Sequence, residues 1–544
     1  MKNKIIYCLV FIGILCISCI QGKEIFASEL EKQSVSKDFL IEDGVLKKYK
    51  GTDTKVVIPS TVTTIGKFVF QGNKKIEELE IPSSVRVIER FAFTRCTNLQ
   101  RVEMSDGITT IGVDAFRECS SLSSIKIPNS VKNIDIGAFA NCSNLVTIEI
   151  PNSVTTIGGG AFANCSNLVT VEIPNSVTTM GGNVFSGCTS LTRMVIPNSV
   201  TGEFKGVFAG CKNLEQVTLS KNIKKIGVIT FENCEKLKEI IIPNGVTEIG
   251  RDCFKGCFML ESIDIPKSVK RIDENFRDTP WGRKQKREQN MLILNQNLVD
   301  GKDCIDTVVI PKGVTRIGEN AFDHSKTIKK VILPNTVTSI GAGAFVFSSL
   351  QEIEMGNSVK YIGSYAFEYC SMLKKVQLSP KILEICDFTL FARCNRLKQL
   401  TIPEGVRKVD LSVFLECKKL EHLVLPSKRI DIITFTPSND VKASFAIHGE
   451  VGSNAEKMAK KSKILFKPIV INKTKGMIGK NETLQLEVGS DTQITKWSSS
   501  NPKIATVSKT GKVTGKKEGT AIITGKLYGK SYTCKVQVIS KRKK

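Results

Sequence analysis

The groups with the most chemical reach in this 544-residue chain are 18 cysteines and 3 histidines. So many thiols suggest disulfides, and thiols beside imidazoles at short spacing suggest zinc. The spacing supports neither. Cys recurs at 96, 119, 142, 165, 188, 211, 234 and 257, each 23 residues after the last. A residue kept at one position of every repeat points to the inside of a stack, where a thiol behaves as a small hydrophobe. Neighbouring rungs would lie about 4.8 Å apart, within disulfide reach, yet their Cβ vectors would run parallel where the bond needs them to converge. No Cys-x-x-Cys pair occurs after residue 28. Cys253 and Cys257 stand four apart, but Cys257 belongs to the ladder and no His is near it in sequence. Lone Cys534 has no partner in its own domain. The expectation is a ladder of buried free thiols and no metal.

Catalytic constellations are not found either. His324, His422 and His448 stand in no nucleophile or metal-ligand spacing. His422 falls on the outward side of a strand, where it meets either a ligand or solvent. Gly158-Gly159-Gly160 has the look of a phosphate loop but lacks the Lys-Ser/Thr such a loop needs, and it reads as the turn of one repeat. The chain is therefore read as no enzyme, with no cofactor.

The elements that place these residues follow from the period. Phe recurs at 70, 93, 116, 139, 162, 185, 208, 231 and 254, and Leu at 99, 122, 145, 168, 191, 214, 237 and 260, in step with Cys. In the unit Leu168 to Ser190, Leu168, Val171 and Ile173 face one way and Val169, Thr170 and Glu172 the other, as in a short strand. Pro174 ends the strand by removing an amide donor. Val177 and Met180 supply a second apolar pair, Gly181 a turn, and Phe185 with Cys188 is expected to close the coil on a one-turn helix. One unit cannot bury these groups alone, so coils stack, with the strands in a parallel sheet. About fifteen coils at roughly 4.8 Å each predict a sheet about 70 Å long.

The register breaks once, between Ile265-Pro266 and Ile310-Pro311, across Thr279-Pro280-Trp281 and the basic stretch Arg283 to Arg287. Phe39-Leu40-Ile41 with Leu46 and Val56-Val57-Ile58-Pro59 matches Met291-Leu292-Ile293 with Leu298 and Val308-Val309-Ile310-Pro311 at a constant offset of 252. Each reads as a hairpin cap opening a block of coils, the first with a turn-prone Asp43-Gly44. Phe322, Phe345, Phe367, Phe391 and Phe414 mark the second block, and the capping box Ser453-Asn454-Ala455-Glu456 opens a short polar helix that shields its last coil. The coil Gly202-Glu203-Phe204 departs from its neighbours' Thr-Ile-Gly and predicts a bulge. After Pro468 short alternating strands between Gly and Asn turns imply a small β-sandwich. The predicted spans are a signal peptide at 1–28, cap and first block at 29–277, an irregular insert and second cap at 278–303, second block at 304–466, and sandwich with basic tail at 467–544.

Function is expected on outward strand positions, because stacked repeats bind through the extended sheet face. The candidates are Glu149, Glu172, Arg193 and Lys238 in the first block, where acids dominate, and Lys329, Lys330, Lys374 and Lys375 in the second, where bases do.

Charge and the N-terminus bear on location. Met-Lys-Asn-Lys precedes an apolar run from Ile5 to Ile20, too short for a comfortable span and flanked as a secretory signal is. Cleavage is expected near Ala27 or Ser28, with lipidation at Cys19 as the alternative, and no transmembrane span after processing. The net charge is +25, and from Lys467 onward 17 Lys and Arg face 4 Asp and Glu. On an exported chain this favours an anionic cell-wall polymer or lipid head groups over nucleic acid.

The unit Leu-x-x-Ile-x-Ile-Pro-x-Ser-Val-x-x-Ile-Gly-x-x-Ala-Phe-x-x-Cys resembles the repeat of BspA-like leucine-rich-repeat proteins over roughly residues 39 to 466. Trp497-Ser498-Ser499-Ser500-Asn501-Pro502, Ile504-Ala505-Thr506-Val507, Gly511-Lys512-Val513-Thr514-Gly515 and Gly519-Thr520-Ala521 resemble the bacterial immunoglobulin-like domain of group 2. The resemblance implies a leucine-rich-repeat parallel-sheet solenoid in two blocks followed by an immunoglobulin-like sandwich. It also implies a secreted or cell-surface role in adhesion to an extracellular protein, a glycan or other cells. The alternative is a structural cell-envelope protein held by its basic C-terminal domain.

Overall fold

The computed structural model describes residues 37–273, 276–286, 290–387, 389–433, 445–489, 496–527 and 530–540. The segment expected to be a signal peptide, Cys19, Arg287 and the basic end at 541–544 lie outside the described residues. The chain divides into two compact units, Met1–Lys284 and Gln285–Lys544.

The first unit opens on the antiparallel hairpin Phe39–Glu42 with Val45–Tyr49. Its turn puts Asp43 and Gly44 at φ 50° and 74°, the two positive values a tight hairpin of the right twist requires. From Val45–Tyr49 a parallel sheet runs coil by coil to Thr179–Met180, seven strands, with Phe39–Glu42 as the antiparallel eighth at its edge. A second parallel face carries the longer strands, such as Thr147–Glu149 and Thr170–Glu172, whose middle residue is buried and whose flanking residues are exposed. Each coil thus contributes to two sheets. The short pair of each unit, such as Thr156-Ile157, is itself a two-residue strand, because it recurs at the same height and the amides flanking it donate to the preceding coil, as Thr155 does to Lys132 and Gly158 to Ile134.

The Phe-to-Cys segment departs from expectation. It is a ladder of turns and not a helix, the short 3-10 helix Leu411–Phe414 being a local exception. Gly160, Phe162 and Asn164 donate their amides to the carbonyls of Gly182, Val184 and Ser186 in the next coil (2.8, 3.0 and 2.6 Å), while Ala161, Ala163 and Cys165 donate within their own coil. Alternation of this kind needs left-handed backbone two residues either side of each Phe. Gly160 and Asn164 have φ 62° and 58°, and Gly137 and Asn141 repeat the pattern one coil earlier. A helix would send these amides along its own axis and leave the coil edges unpaired.

The phenylalanines stack inside. Phe139, Phe162 and Phe185 are fully buried, with centroids 5.7 and 5.6 Å apart and planes within 9°. Each ladder thiol does more than fill space: Cys165 Sγ donates to the Phe139 carbonyl of the preceding coil (3.2 Å), and Cys188 does the same to Phe162 (3.2 Å). Cys142, Cys165 and Cys188 are buried thiols in no disulfide, as the ladder predicts. The bulge at Gly202-Glu203-Phe204 is present, with a register shift that lets Phe204 reach the core. Pro280 opens the helix Pro280–Lys286, and Trp281 meets Phe276 edge-on at 5.1 Å to close the stack.

The second unit repeats the opening: Leu292–Leu294 pairs antiparallel with Asn297–Asp300 around Asn295 and Gln296 at φ 45° and 67°. Phe322, Phe345, Phe367, Phe391 and Phe414 form its stack. The coils total about eighteen, because those at the block ends lack the Phe and Cys that mark the period. The helix Asn454–Lys461 closes the block. Ser453 Oγ accepts from the Glu456 amide (3.2 Å), and Glu456 accepts from Gly452 (2.7 Å). Ala455 and Ala459 are buried against the coil core. The C-terminal sandwich packs the sheet Lys475–Gly479, Lys530–Ile539, Gly519–Leu527, Lys496–Ser499 on the sheet Thr483–Gln485, Lys512–Gly515, Ala505–Val507. Between them lie Leu486, Val513, Ile523, Val536 and the buried thiol of Cys534.

Candidate binding face

The outward positions of the longer strands form the candidate site. Parallel register stacks identical positions one coil apart, so Lys126, Glu149 and Glu172 form one row and Ser124, Thr147 and Thr170 the row beside it. Arg193, Met194 and Val195 continue through the strand paired with Gln216–Thr218, and Glu239–Ile241 with Ser262–Asp264. Glu149, Glu172 and Arg193 are exposed on strands; Lys238 is exposed just before one. None of the four makes an ion pair with another described residue. Sequence reasoning missed the aliphatic part of this face: Val195 and Ile241 are 63% and 72% exposed. The signal was Val or Ile at a strand position where most coils carry a charge.

Elsewhere the face neutralises itself. In the first coils Lys55 pairs with Glu80 (2.6 Å) and Arg101 with Glu103. In the second unit Lys329 pairs with Asp306 (2.6 Å), Lys330 with Glu354 (2.5 Å), and Lys374 Nζ donates to Gln351 Oε1 (3.4 Å). Lys330 holds the Glu354 carboxyl below its ordinary range, with Lys375 adding to the effect. Of the four candidate bases there, Lys329 and Lys330 are paired with acids of neighbouring strands, while the Gln351 amide that Lys374 meets leaves its charge in place.

The last coils present another surface. Val424 points outward and is buried with Ile469, Val488 and Leu527 of the sandwich side. Lys530 donates to the Pro426 carbonyl (2.6 Å), pairs with Glu450, and reaches Glu404 (3.5 Å). His422 is neither a solvated residue nor a free contact: its Nδ1 lies 3.0 Å from Nε2 of the buried His448. His324 stacks on Phe347 at 4.9 Å.

The backbone of Gly158-Gly159-Gly160 is committed to the coils. Gly158 donates to Ile134 (2.7 Å) and Gly160 to Gly182 (2.8 Å), so these amides are not aimed at an anion. Burial pushes the Cys165 and Cys211 thiols up to about 12, the reverse of an activated nucleophile. Among the described residues no cluster of His, Cys, Asp and Glu could hold a metal, and no helix is long and apolar enough to cross a membrane.

Residues 47–169, 155–278 and 294–421 match the BspA type leucine rich repeat region, in 6 copies. Residues 466–527 match the bacterial Ig-like domain of group 2. Neither is a catalytic family. No curated protein matches the chain. Similar solved structures include a leucine-rich repeat protein from Bacteroides ovatus, 22% identical over 79% of this chain and 100% of that one, with a TM-score of 0.32. A leucine rich cell surface protein from Faecalibacterium prausnitzii is 25% identical over 74% of this chain and 93% of its own, with a TM-score of 0.31. The leucine rich repeat protein of T. pallidum is 27% identical over 41% and 88%, with a TM-score of 0.28.

Proposed function

We propose, from the premise that this chain belongs to the BspA-type leucine-rich-repeat family, that it is an exported surface protein that binds a protein ligand through the first unit's longer-stranded sheet. The observation that carries this is the stretch from Thr147 to Asp264, where Glu149, Glu172 and Arg193 lack ion pairs to other described residues and stand beside the exposed Val195 and Ile241. Exposed aliphatic side chains bordered by solvated polar and charged ones match the apolar centre and polar rim of a protein interface. A glycan is the poorer fit, because the described outward positions of these strands, from Lys55 to Asp264, carry no aromatic ring on which a sugar could stack. A basic C-terminal segment facing an anionic envelope is compatible with this and concerns attachment.

The test is a binding panel with the full chain: extracellular-matrix proteins, whole cells and purified wall. Saturable binding to a protein, or to cells in a protease-sensitive way, supports the reading. Binding to purified wall alone favours the structural envelope role.

A further inference from the structure

The joint between the last coils and the sandwich contains a feature that packing alone does not require. His422 and Val424 are outward residues of the strand His422–Leu425, and His448 is the outward residue in register with Val424 on the next strand. Val424 is the solenoid's contribution to the apolar cluster with Ile469, Val488 and Leu527. The two imidazoles therefore lie at the foot of the docked sandwich, rings 5.0 Å apart and edge to face, joined Nδ1 to Nε2 at 3.0 Å. His448 is 1% exposed.

We propose that the His422–His448 pair is an acid-sensitive latch that holds the immunoglobulin-like domain on the terminal sheet face at neutral pH and loosens it under mild acid. A nitrogen-to-nitrogen hydrogen bond has one proton and one lone pair. The pair tolerates one positive charge, since the donor ring can carry a second proton on its far nitrogen. It cannot tolerate two, because two N–H groups would then face each other at 3.0 Å. Charged groups stand around the pair. Glu421 lies 4.0 Å from His422 Nε2 and 3.9 Å from Lys398. Lys467 stands in register with His448 and opposes charge on it. On the sandwich side lie Tyr532, in the apolar cluster, and Lys530, bound to Glu404 and Glu450; Lys428 pairs with Glu450 at 3.2 Å. The second proton can enter only by separating the rings, which lifts the surface beside Val424.

The carboxylate link does not act in the same window. Burial pushes Glu450 up, but hydrogen bonds from Lys530 and Lys428 outweigh it and hold the carboxyl below its ordinary range. Its contribution is present above the unfolded value, about 4.3, and is lost only below that. Imidazoles in solution bind protons at higher pH than carboxylates do, so loss of the Glu450 link and opening of the imidazole pair are separable by pH.

Amide exchange of the full chain at pH 7.5, 6.5 and 5.5, corrected for intrinsic rates, tests this at Ile469, whose amide is held by the Gly449 carbonyl at 2.7 Å, and at Leu527 and 530–532. Protection there should fall about tenfold per unit once the second proton binds, while residues 139–185 stay unchanged. His422→Gln keeps a hydrogen-bonding group that does not titrate and should flatten the pH dependence. Lys530→Met should lower protection at every pH, identifying these amides as reporters of docking. Equal protection at pH 7.5 and 5.5 in the wild type, the same fall in His422→Gln, or unaltered protection in Lys530→Met would overturn the proposal.

Discussion

Cys165 carries two duties, and each makes a prediction. Its thiol is fully buried and donates to a carbonyl of the preceding coil. Replacing Cys165 with Ala removes a sulfur from a packed site and a donor from that carbonyl, which should cost about 1–3 kcal/mol in chemical denaturation. Cys165→Ser should cost less, since Ser325 and Ser348 hold the same rung in the second unit. The raised thiols also set a pH limit. Unfolded thiols ionise from about pH 8.5 while the buried ones stay protonated to about 12. Their contribution is whole below the unfolded value and drains away as pH climbs toward 12, so the solenoid should lose stability progressively on the alkaline side. Alkaline denaturation curves that stay flat to pH 11 would contradict this. The position of these thiols was readable from the 23-residue period, but their bond to the phenylalanine carbonyl was not, because it depends on the turn conformation of the intervening backbone.

At the scale of the coil, stacking of identical groups decides stability. Phe162→Ala opens a cavity between Phe139 and Phe185, which the flanking coils hold apart, and should cost about 3–5 kcal/mol. The loss of amide protection should centre on residues 139–185, since each coil touches only its neighbours. Gly158 is fixed by close approach: a Cβ there would stand 2.4 Å from the Ile136 amide nitrogen, so Gly158→Ala must push neighbouring coils away from each other. A cost of about 1–3 kcal/mol is expected from equilibrium unfolding. The strands, caps, bulge and terminal helix were legible because each rests on a local signal: alternation, a Gly or Asn turn, a broken register, a capping box. The turn ladder was not, although Gly and Asn at Phe-minus-two and Phe-plus-two, as at Gly160 and Asn164, are the residues that left-handed backbone selects. The sheet of two-residue strands was missed because two residues are too few for alternation to register.

For the molecule as a whole, charge has separable uses. In the second unit Lys329 and Lys330 are drawn into cross-strand pairs with Asp306 and Glu354, while Lys374 meets only the neutral Gln351. The segment from Lys467 onward keeps its excess, 17 bases against 4 acids. If it holds the protein to an anionic envelope, molar salt should release the full chain from intact producing cells, because screening shortens the reach of charge from about 10 Å at 0.1 M to about 3 Å at 1 M. Retention in molar salt would assign attachment elsewhere. The docking of the sandwich through Val424 and Lys530 could not be foreseen, since it joins residues over a hundred positions apart and no period relates them.

If a protein partner sits on the face from Thr147 to Asp264, changes confined to that face should weaken binding. The direct measurement compares, on one panel of extracellular proteins and whole cells, the full chain with a variant carrying Glu149→Lys, Glu172→Lys, Val195→Asp and Ile241→Asp, and with a control carrying Thr156→Lys on the other sheet. These sites are exposed or partly so, and both variants should unfold like the wild type. Wild type and control should bind alike, and the face variant should lose at least about tenfold in affinity, the equivalent of about 1.4 kcal/mol. Equal binding by all three, or loss in the control as well, would contradict it.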